Sequence, residues 1–382
     1  MNVVDHPVIL MNVFLILDQD LRNGPAVVSV SDRSSAEHDV ISALQRLAYA
    51  GQQQQATAQA NLSHEGDENH NTKANRRKAD VERSPQLRGD VISSAQADEQ
   101  APPATATRLE VTVCAIQPKL RQKDESPLDV CKRILDSIED IARSRNVDLF
   151  VLPELAPVGY SEDTFARCLP KSELMKKMYE LIDEAFSERA SKIQSYICYG
   201  TVGWKASDEG DESFTIRQKV VDRNGKVVAV YDKIHLCDYG DCAETRFFQP
   251  GPKQAVSFTV DNSFTFGLLI CADMRYPELS RALARDHKVD ALLQPAAFTR
   301  DISFRTWKSF RETRAVENSV YFIGINYAGR MYGESSIVPP WVDDDHEAQE
   351  LGTEEGYLIS RLQRHELDLA RTALPFYREL VS

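Results

Sequence analysis

The chain has 382 residues, with 58 acidic against 45 basic side chains and a formal net charge of −13. That balance argues against partnership with nucleic acid or with an anionic membrane surface. No apolar run reaches the roughly 20 residues of a membrane span, and the length suits one large or two ordinary domains.

Residues 1–50 carry two modest apolar runs, Val8–Leu17 and Ala26–Val30, and a short helical pattern near Val40–Ala50. The first run invites a signal-peptide reading. Against it, Asp5 and His6 stand where basic residues belong, and Asp18 and Asp20 where a cleavage site needs small ones. The segment is also too acidic for an ordinary mitochondrial presequence, so the expected compartment is the cytoplasm. Residues 1–50 form either a small appendage or a piece that docks on the main domain. From Gly51 to Thr107 the composition turns to Gln, Ala, Ser, Asp, Glu and Asn, including the run Gln52–Gln55. Too few residues there can bury apolar area, so 51–107 is expected to be a disordered linker. The basic patch Arg76-Arg77-Lys78 is too short to support a nucleic-acid role.

Regular patterning begins near Leu109. Leu109–Ile116 alternates like a strand, and Leu128–Ala142 repeats apolar residues on one helical face. Leu149–Leu152 is a continuous apolar run, the pattern of a strand buried on both faces, and Pro153 closes it just before Glu154. A second amphipathic helix covers Leu174–Ala185, and Ser195–Val202 returns as a strand. Asn224-Gly225 is a hairpin signal that pairs Val220-Val221 with Val227-Val228, and the returning strand leads to Lys233. A third apolar run ends at Cys271, followed by a tight turn and a helix from Pro277 to about Arg285. Then come a strand at Ala291–Gln294, a helix from about Phe304 to Asn318, a strand at Val320–Asn326, and strand-like stretches at Ser335–Val338 and Gly356–Leu362. Strands alternating with helices and interrupted by hairpins indicate an α/β fold with mixed sheets.

An acid, a lysine and a cysteine thus each stand at the end of a strand. Taken singly, each has an ordinary explanation: a solvated strand end for Glu154 or Lys233, a buried structural thiol for Cys271. A helix starting just beyond Cys271 would turn its positive end towards the corner and favour thiolate. His235, Cys237 and Cys242 lie close in sequence, yet H-x-C-x4-C matches no usual structural zinc spacing, and no metal is implied. Cys114, Cys131, Cys168 and Cys198 are scattered and outline no disulfide framework.

Together, L-P-E at Leu152–Glu154, D-K-I-H-L at Asp232–Leu236 and G-L-L-I-C-A-D-M-R-Y-P-E-L at Gly267–Leu279 resemble the carbon–nitrogen hydrolase (nitrilase) superfamily. R-A-V-E-N at Arg314–Asn318 and L-P-F-Y-R-E-L at Leu374–Leu380 extend the likeness from about Leu109 to the C-terminus. The resemblance implies a hydrolase domain over 108–382 with a four-layer αββα sandwich, and a Glu154–Lys233–Cys271 triad at one end of the two sheets. It also implies a homodimer or larger homo-oligomer.

In such a triad Cys271 attacks the carbon, Glu154 moves protons, and Lys233 stabilises the oxyanion. The backbone amide of Ala272 is a second oxyanion donor by analogy with other nucleophile corners, and Glu244 helps to orient the lysine. Tyr160 and Phe298 are expected in the substrate pocket. Arg275 either holds a substrate carboxylate or bonds a neighbouring acid and stiffens the corner. The run D-M-R-Y-P-E-L is closest to the branch of ω-amidases and deaminated-glutathione amidases, although Ala272 and Glu312 depart from that branch and the Lys233–Glu244 loop is shorter. The expected activity is an amidase that releases ammonia from a small linear amide, with water as co-substrate and no cofactor. The alternatives are an N-carbamoyl hydrolase, a nitrilase, or a non-catalytic scaffold with an N-terminal interaction tail.

Overall fold

The computed structural model describes residues 108–206, 212–239, 242–374 and 376. The expectations for residues 1–50 and 51–107, and for most of the Leu374–Leu380 stretch, lie outside the described residues.

The first sheet contains β1 (Glu110–Gln117), β2 (Leu149–Val151), β3 (Tyr196–Ala206), β4 (Glu212–Val221), β5 (Val227–Asp232) and β12 (Gly356–Gln363), in the order β12-β1-β2-β3-β4-β5. The second contains β6 (Ser257–Val260), β7 (Phe264–Leu268), β8 (Ala291–Pro295), β9 (Tyr321–Ile325), β10 (Ser336–Val338) and β11 (Gln349–Glu350), in the order β11-β10-β9-β8-β7-β6. At the centre of each sheet three strands run parallel: β1, β2 and β3 in one, β7, β8 and β9 in the other. Antiparallel strands extend both. The parallel strands are the continuous apolar runs of the sequence, and Leu149, Phe150, Val151, Leu292 and Leu293 are wholly buried, as strands covered on both faces must be.

The sheets pack face to face through β1 against β9 and β10 against β12. Helix α1 (Pro127–Ser144) packs on α3 (Glu173–Ile193), which covers β3 and β4. On the far side α4 (Pro277–Arg285) packs on α5 (Arg305–Asn318), which covers β9 and β10. The result is the expected αββα sandwich. Helix α1 starts where its sequence directs: Ser126 and Asp129 form a reciprocal capping box, Pro127 takes the first turn, and Val130, Ile134, Leu135 and Ile138 are buried along one stripe. The short helices α2 (Glu162–Cys168) and α6 (Arg364–Ala373) were not anticipated. Seven and ten residues long, they offer little periodicity to read. None of the described helices is long and apolar enough to cross a membrane.

One register differs from expectation. Val221 pairs with Val227, but a bulge then sets Val220 opposite Ala229, not Val228. The cause lies in the loop. Asp222 accepts from the amides of Asn224 and Lys226, and its own amide donates to the Lys226 carbonyl, so five residues close the turn instead of two. Only Gly225 takes a positive φ, of 76°. The consequence reaches the site, because a one-residue slip exchanges the faces of a strand. In the observed register Ala229 and Tyr231 point inwards, Val228 and Val230 outwards, and Lys233 continues the inward series.

Candidate active site

Five strand ends from the two sheets supply the site. β2 runs on through Leu152 and Pro153 to Glu154, where the chain turns sharply through Leu155 at φ 51°. The turn lies against Gly200 of β3, where an added Cβ would come within 2.2 Å of the Leu155 nitrogen. β5 delivers Lys233, β7 leads to Cys271, β8 to Ala297 and Phe298, and β9 to Asn326 and Tyr327.

Lys233 is the hub. Its Nζ donates to Glu154 Oε1 at 2.8 Å and to Glu244 Oε1 at 2.7 Å, and all three side chains are fully buried. Two of its three N–H donors are thereby taken. Glu244 stands in a short 3-10 turn, Glu244–Arg246. Its Oε2 accepts from the Cys237 amide at 2.8 Å, and its Oε1 also accepts from the Tyr160 hydroxyl. It is therefore no surface loop carboxylate. Glu154 Oε2 accepts from the Ala297 amide at 3.0 Å, and the Glu154 carbonyl from the Tyr327 hydroxyl at 2.7 Å. Burial raises Glu154 to about 7 against the opposing pull of Lys233, with Glu244 adding to the rise. Burial alone would lower Lys233, but Glu154 and Glu244 overcome it and hold the lysine charged, well above its ordinary value.

Cys271 opens the 3-10 turn Cys271–Arg275 and sits in the left-handed region at φ 43°. That conformation is unfavourable for a residue with a side chain, and surrounding bonds must impose it. Gln294 Nε2 donates to the Cys271 carbonyl at 2.9 Å, and Asp273 Oδ2 accepts from the Ile270 amide at 3.0 Å. The expected thiolate is not supported. Burial and then Glu154 push the Cys271 thiol well above its ordinary value, which Lys233 only partly offsets. The helix beginning at Pro277 is separated from the sulfur by the whole 3-10 turn, and an end-of-helix field falls off within about a turn. The resting sulfur is thus a thiol in need of a base.

Asp273 joins the nucleophile corner to the lysine strand. Besides the Ile270 amide it accepts from the Tyr231 hydroxyl at 2.7 Å, the His235 amide at 2.9 Å and His235 Nδ1 at 2.8 Å. Tyr231 and His235 flank Lys233 on either side, so one buried carboxylate fixes the lysine relative to Cys271. His235 also stacks on Tyr276, with ring centroids 3.5 Å apart. It serves this strap, as a residue beside Lys233.

Ala272 is buried within the same turn as Cys271. Phe298 is buried against Trp307 and Phe304, and its amide donates to Asn326 Oδ1 at 3.0 Å. Tyr160 reaches Glu244 and packs edge-on against Phe165. Arg275 has no carboxylate partner among the described residues. Its guanidinium donates to the hydroxyls of Ser303 at 2.9 Å and Thr306 at 3.3 Å, and lies over the rings of Phe298, Tyr239 and Phe310. The stiffening role through a neighbouring acid is therefore corrected: hydroxyls and aromatic faces hold this arginine. Sequence reading did not single out Ala297, Tyr327, Gln294, Asn326 or the strap role of Asp273. Asp273 lay inside the quoted motif. Gln294 lies inside β8 and the others follow apolar strands, where no charge marks them.

Residues 110–372 match the family model described as carbon–nitrogen hydrolase. Among curated proteins, the chain is 28% identical over 247 residues to a protein named hydrolase in agr operon from Staphylococcus lugdunensis, covering 63% of this chain and 98% of the relative. It is 27% identical over 218 residues to the deaminated glutathione amidase of a Synechocystis strain, covering 54% and 77%. Among solved structures it is similar to Saccharomyces cerevisiae Nit3, a member of branch 10 of the nitrilase superfamily, at a TM-score of 0.58 and 23% identity over 70% of this chain and 96% of that one. An amidase from Nesterenkonia sp. gives a TM-score of 0.57 at 23% identity over 72% and 98%.

Proposed function

The chain belongs to the carbon–nitrogen hydrolase family, as a hydrolase of carbon–nitrogen bonds other than peptide bonds, and from that premise we propose a thiol-dependent amidase acting on a small linear amide. The observation that carries this reading is the wholly buried Glu154–Lys233–Glu244 constellation beside a left-handed Cys271. Glu154 takes the Cys271 proton as sulfur attacks the amide carbon. The oxyanion is met by the remaining Lys233 N–H and the Ala272 amide. Glu154 then returns its proton to the leaving nitrogen, ammonia departs, and a thioester remains. Water, deprotonated by Glu154, attacks the thioester and releases the acid with the thiol restored. A carboxyl raised to about 7 suits a group that must accept and donate within one cycle near neutral pH.

The substrate in this reading carries a carboxylate at its far end. Support comes from Arg275, a cation near the nucleophile with aromatic walls and hydroxyl partners but no acid of its own among the described residues. Phe298 and Tyr160 line the same pocket. The hydrolase domain spans 108–382, acts in the cytoplasm and assembles as a homodimer or larger, which light scattering on the full chain would test.

The experiment is ammonia release from a panel of amides, N-carbamoyl amines and nitriles, with Cys271→Ala beside the parent. Turnover of ω-carboxyl amides, absent in the variant, is the expected result. Turnover confined to carbamoyl amines or nitriles would replace the amidase reading, and equal rates in parent and variant would overturn the thiol mechanism. Arg275→Ala should raise KM for the carboxylate-bearing amide about a hundredfold, as loss of a charge-assisted pair implies, and leave an uncharged amide nearly unaffected.

A further inference from the structure

Past Pro295 and Ile325, the last paired residues of β8 and β9, the ladder between the two strands changes partners. The Ala296 amide still donates to the Ile325 carbonyl at 2.8 Å. A regular parallel ladder would next send the Tyr327 amide to the Ala296 carbonyl and the Phe298 amide to the Tyr327 carbonyl. Here the Tyr327 carbonyl accepts from the Gly333 amide at 2.8 Å, and the Tyr327 and Phe298 amides both turn to Asn326 Oδ1, at 3.0 Å each. Asn326 Nδ2 donates to the Phe298 carbonyl at 2.9 Å and to the Gly333 carbonyl at 3.0 Å. This wholly buried side chain therefore uses both its donors and both its acceptor lone pairs. Phe298 is gripped at its N–H and at its carbonyl, as a strand partner would grip it.

Between the two holds lies Ala297. Of the amides of Ala296, Ala297 and Phe298, the middle one leaves this ladder and donates to Glu154 Oε2 at 3.0 Å. On the reading of Glu154 as the base, we propose that Asn326 is its positioning residue, a side chain that stands in for the missing strand partner at Phe298 and so aims the Ala297 N–H at the Glu154 carboxylate. Tyr327 completes the hold, because its hydroxyl donates to the Glu154 carbonyl at 2.7 Å. Two consecutive residues after β9 thus fix a residue delivered by the other sheet.

Asn326 is itself anchored across the sheets. Its amide donates to Ser335 Oγ at 2.9 Å, and the Ser335 amide and hydroxyl donate to Gln117 Oε1 of β1 at 3.0 and 2.7 Å. Gln117 Nε2 donates in turn to the carbonyls of Gly352 and Glu354, at 3.0 and 2.7 Å. All three side chains are fully buried. A buried polar network with every member satisfied is rigid, and rigidity is what aiming a single N–H requires. An N–H donated to a carboxylate favours its charged, proton-accepting form.

The test compares Asn326→Leu and Asn326→Ser with the parent, each in the full chain. Thermal melting followed by circular dichroism reads the structural cost, and the serine variant serves if the leucine variant does not fold. Two pH profiles are then taken. One is kcat/KM for an amide that the parent hydrolyses; the other is the rate of iodoacetamide labelling at Cys271, followed by mass spectrometry, which needs no substrate. The height of either profile falls with any loss of folding or of the Phe298 pocket. The position of its acid limb follows Glu154, and neither substitution adds or removes a charge. The expected limb lies about one pH unit higher in the variants, the size that loss of a hydrogen bond to a charged group implies. A limb that stays in place in a folded variant overturns the positioning role and leaves Asn326 purely structural. A parent whose labelling profile shows no acid limb near about 7 overturns the base reading of Glu154 and the positioning role with it, so the two failures are told apart.

Discussion

Replacing Lys233 by methionine removes one charge and little volume, and the structure specifies the consequences. The ammonium bridges Glu154 at 2.8 Å and Glu244 at 2.7 Å with no solvent access to any of the three. Without it two carboxylates face each other in a dry site, and both cannot remain ionised. Lys233 is the main influence holding Glu154 down against burial, so its loss lifts Glu154 further above about 7 and leaves the base protonated at neutral pH. Removing one partner of a buried pair typically costs about 3–5 kcal/mol of stability. Loss of an oxyanion donor alone lowers kcat by roughly a hundred to a thousandfold, or about 2.7–4 kcal/mol of barrier. With the base protonated as well, the combined fall in kcat exceeds the donor effect alone. Urea unfolding and ammonia release across pH, measured on Lys233→Met and parent, read both consequences. The acid limb of kcat/KM should move to higher pH in the variant. An unchanged kcat with an unmoved acid limb would refute the hub role, whatever the stability change.

The parent's own pH dependence has a definite sign. Its kcat/KM should fall on the acid side of about 7 as Glu154 is protonated; a profile flat from about pH 5 to 8 would remove Glu154 as base. The same raised carboxyl binds its proton more tightly folded than unfolded, so its contribution to stability is greatest below its ordinary value of 4.5 and is lost as pH rises through about 7. Asp273→Asn replaces one acceptor oxygen of the strap by a donor and leaves the donors on that oxygen unsatisfied, either the Tyr231 hydroxyl and Ile270 amide or the His235 amide and ring nitrogen. It should lower kcat by at least about tenfold with little change in KM, at about 1–3 kcal/mol for each orphaned group; a change in KM alone would mean the strap does not position Lys233. Gly200→Ala puts a methyl 2.2 Å from the Leu155 nitrogen and 2.8 Å from the Pro153 carbonyl. Overpacking of this kind costs about 1–3 kcal/mol, and since the displaced backbone carries Glu154, the melting temperature and kcat should fall together.

Much of this site was legible because its chemistry is carried by residues that stand out from apolar surroundings. Glu154, Lys233 and Cys271 each interrupt or end a buried strand, and such a strand announces its own end. Glu244 was legible only as a resemblance. Nothing in E-T-R-F-F-Q-P-G distinguishes a buried carboxylate from an exposed one until Lys233 is found 2.7 Å away. The state of Cys271 was misjudged for a related reason. A helix start can be read along the chain, but the burial and the Glu154 charge that outweigh it come from another strand in the other sheet. Ala297 and Cys237 act through their backbone amides, which no side-chain pattern reports.

By itself, then, the sequence determined the local alternation of helix and strand, the chain order of acid, lysine and thiol, and the places where strands stop. Those properties depend on near neighbours along the chain, on apolar periodicity, on capping residues such as Ser126 and on breakers such as Pro153. The tertiary structure alone decided that Glu154 after β2 and Lys233 after β5, with β3 and β4 between those strands, come within 2.8 Å. It also decided that a bulge at Val220 turns Lys233 inwards, that Asp273 fastens the lysine to the nucleophile corner, and that Arg275 stands without an acid among the described residues. Protonation and positioning are properties of a shared, solvent-free volume, and that volume exists only once the two sheets have closed over it.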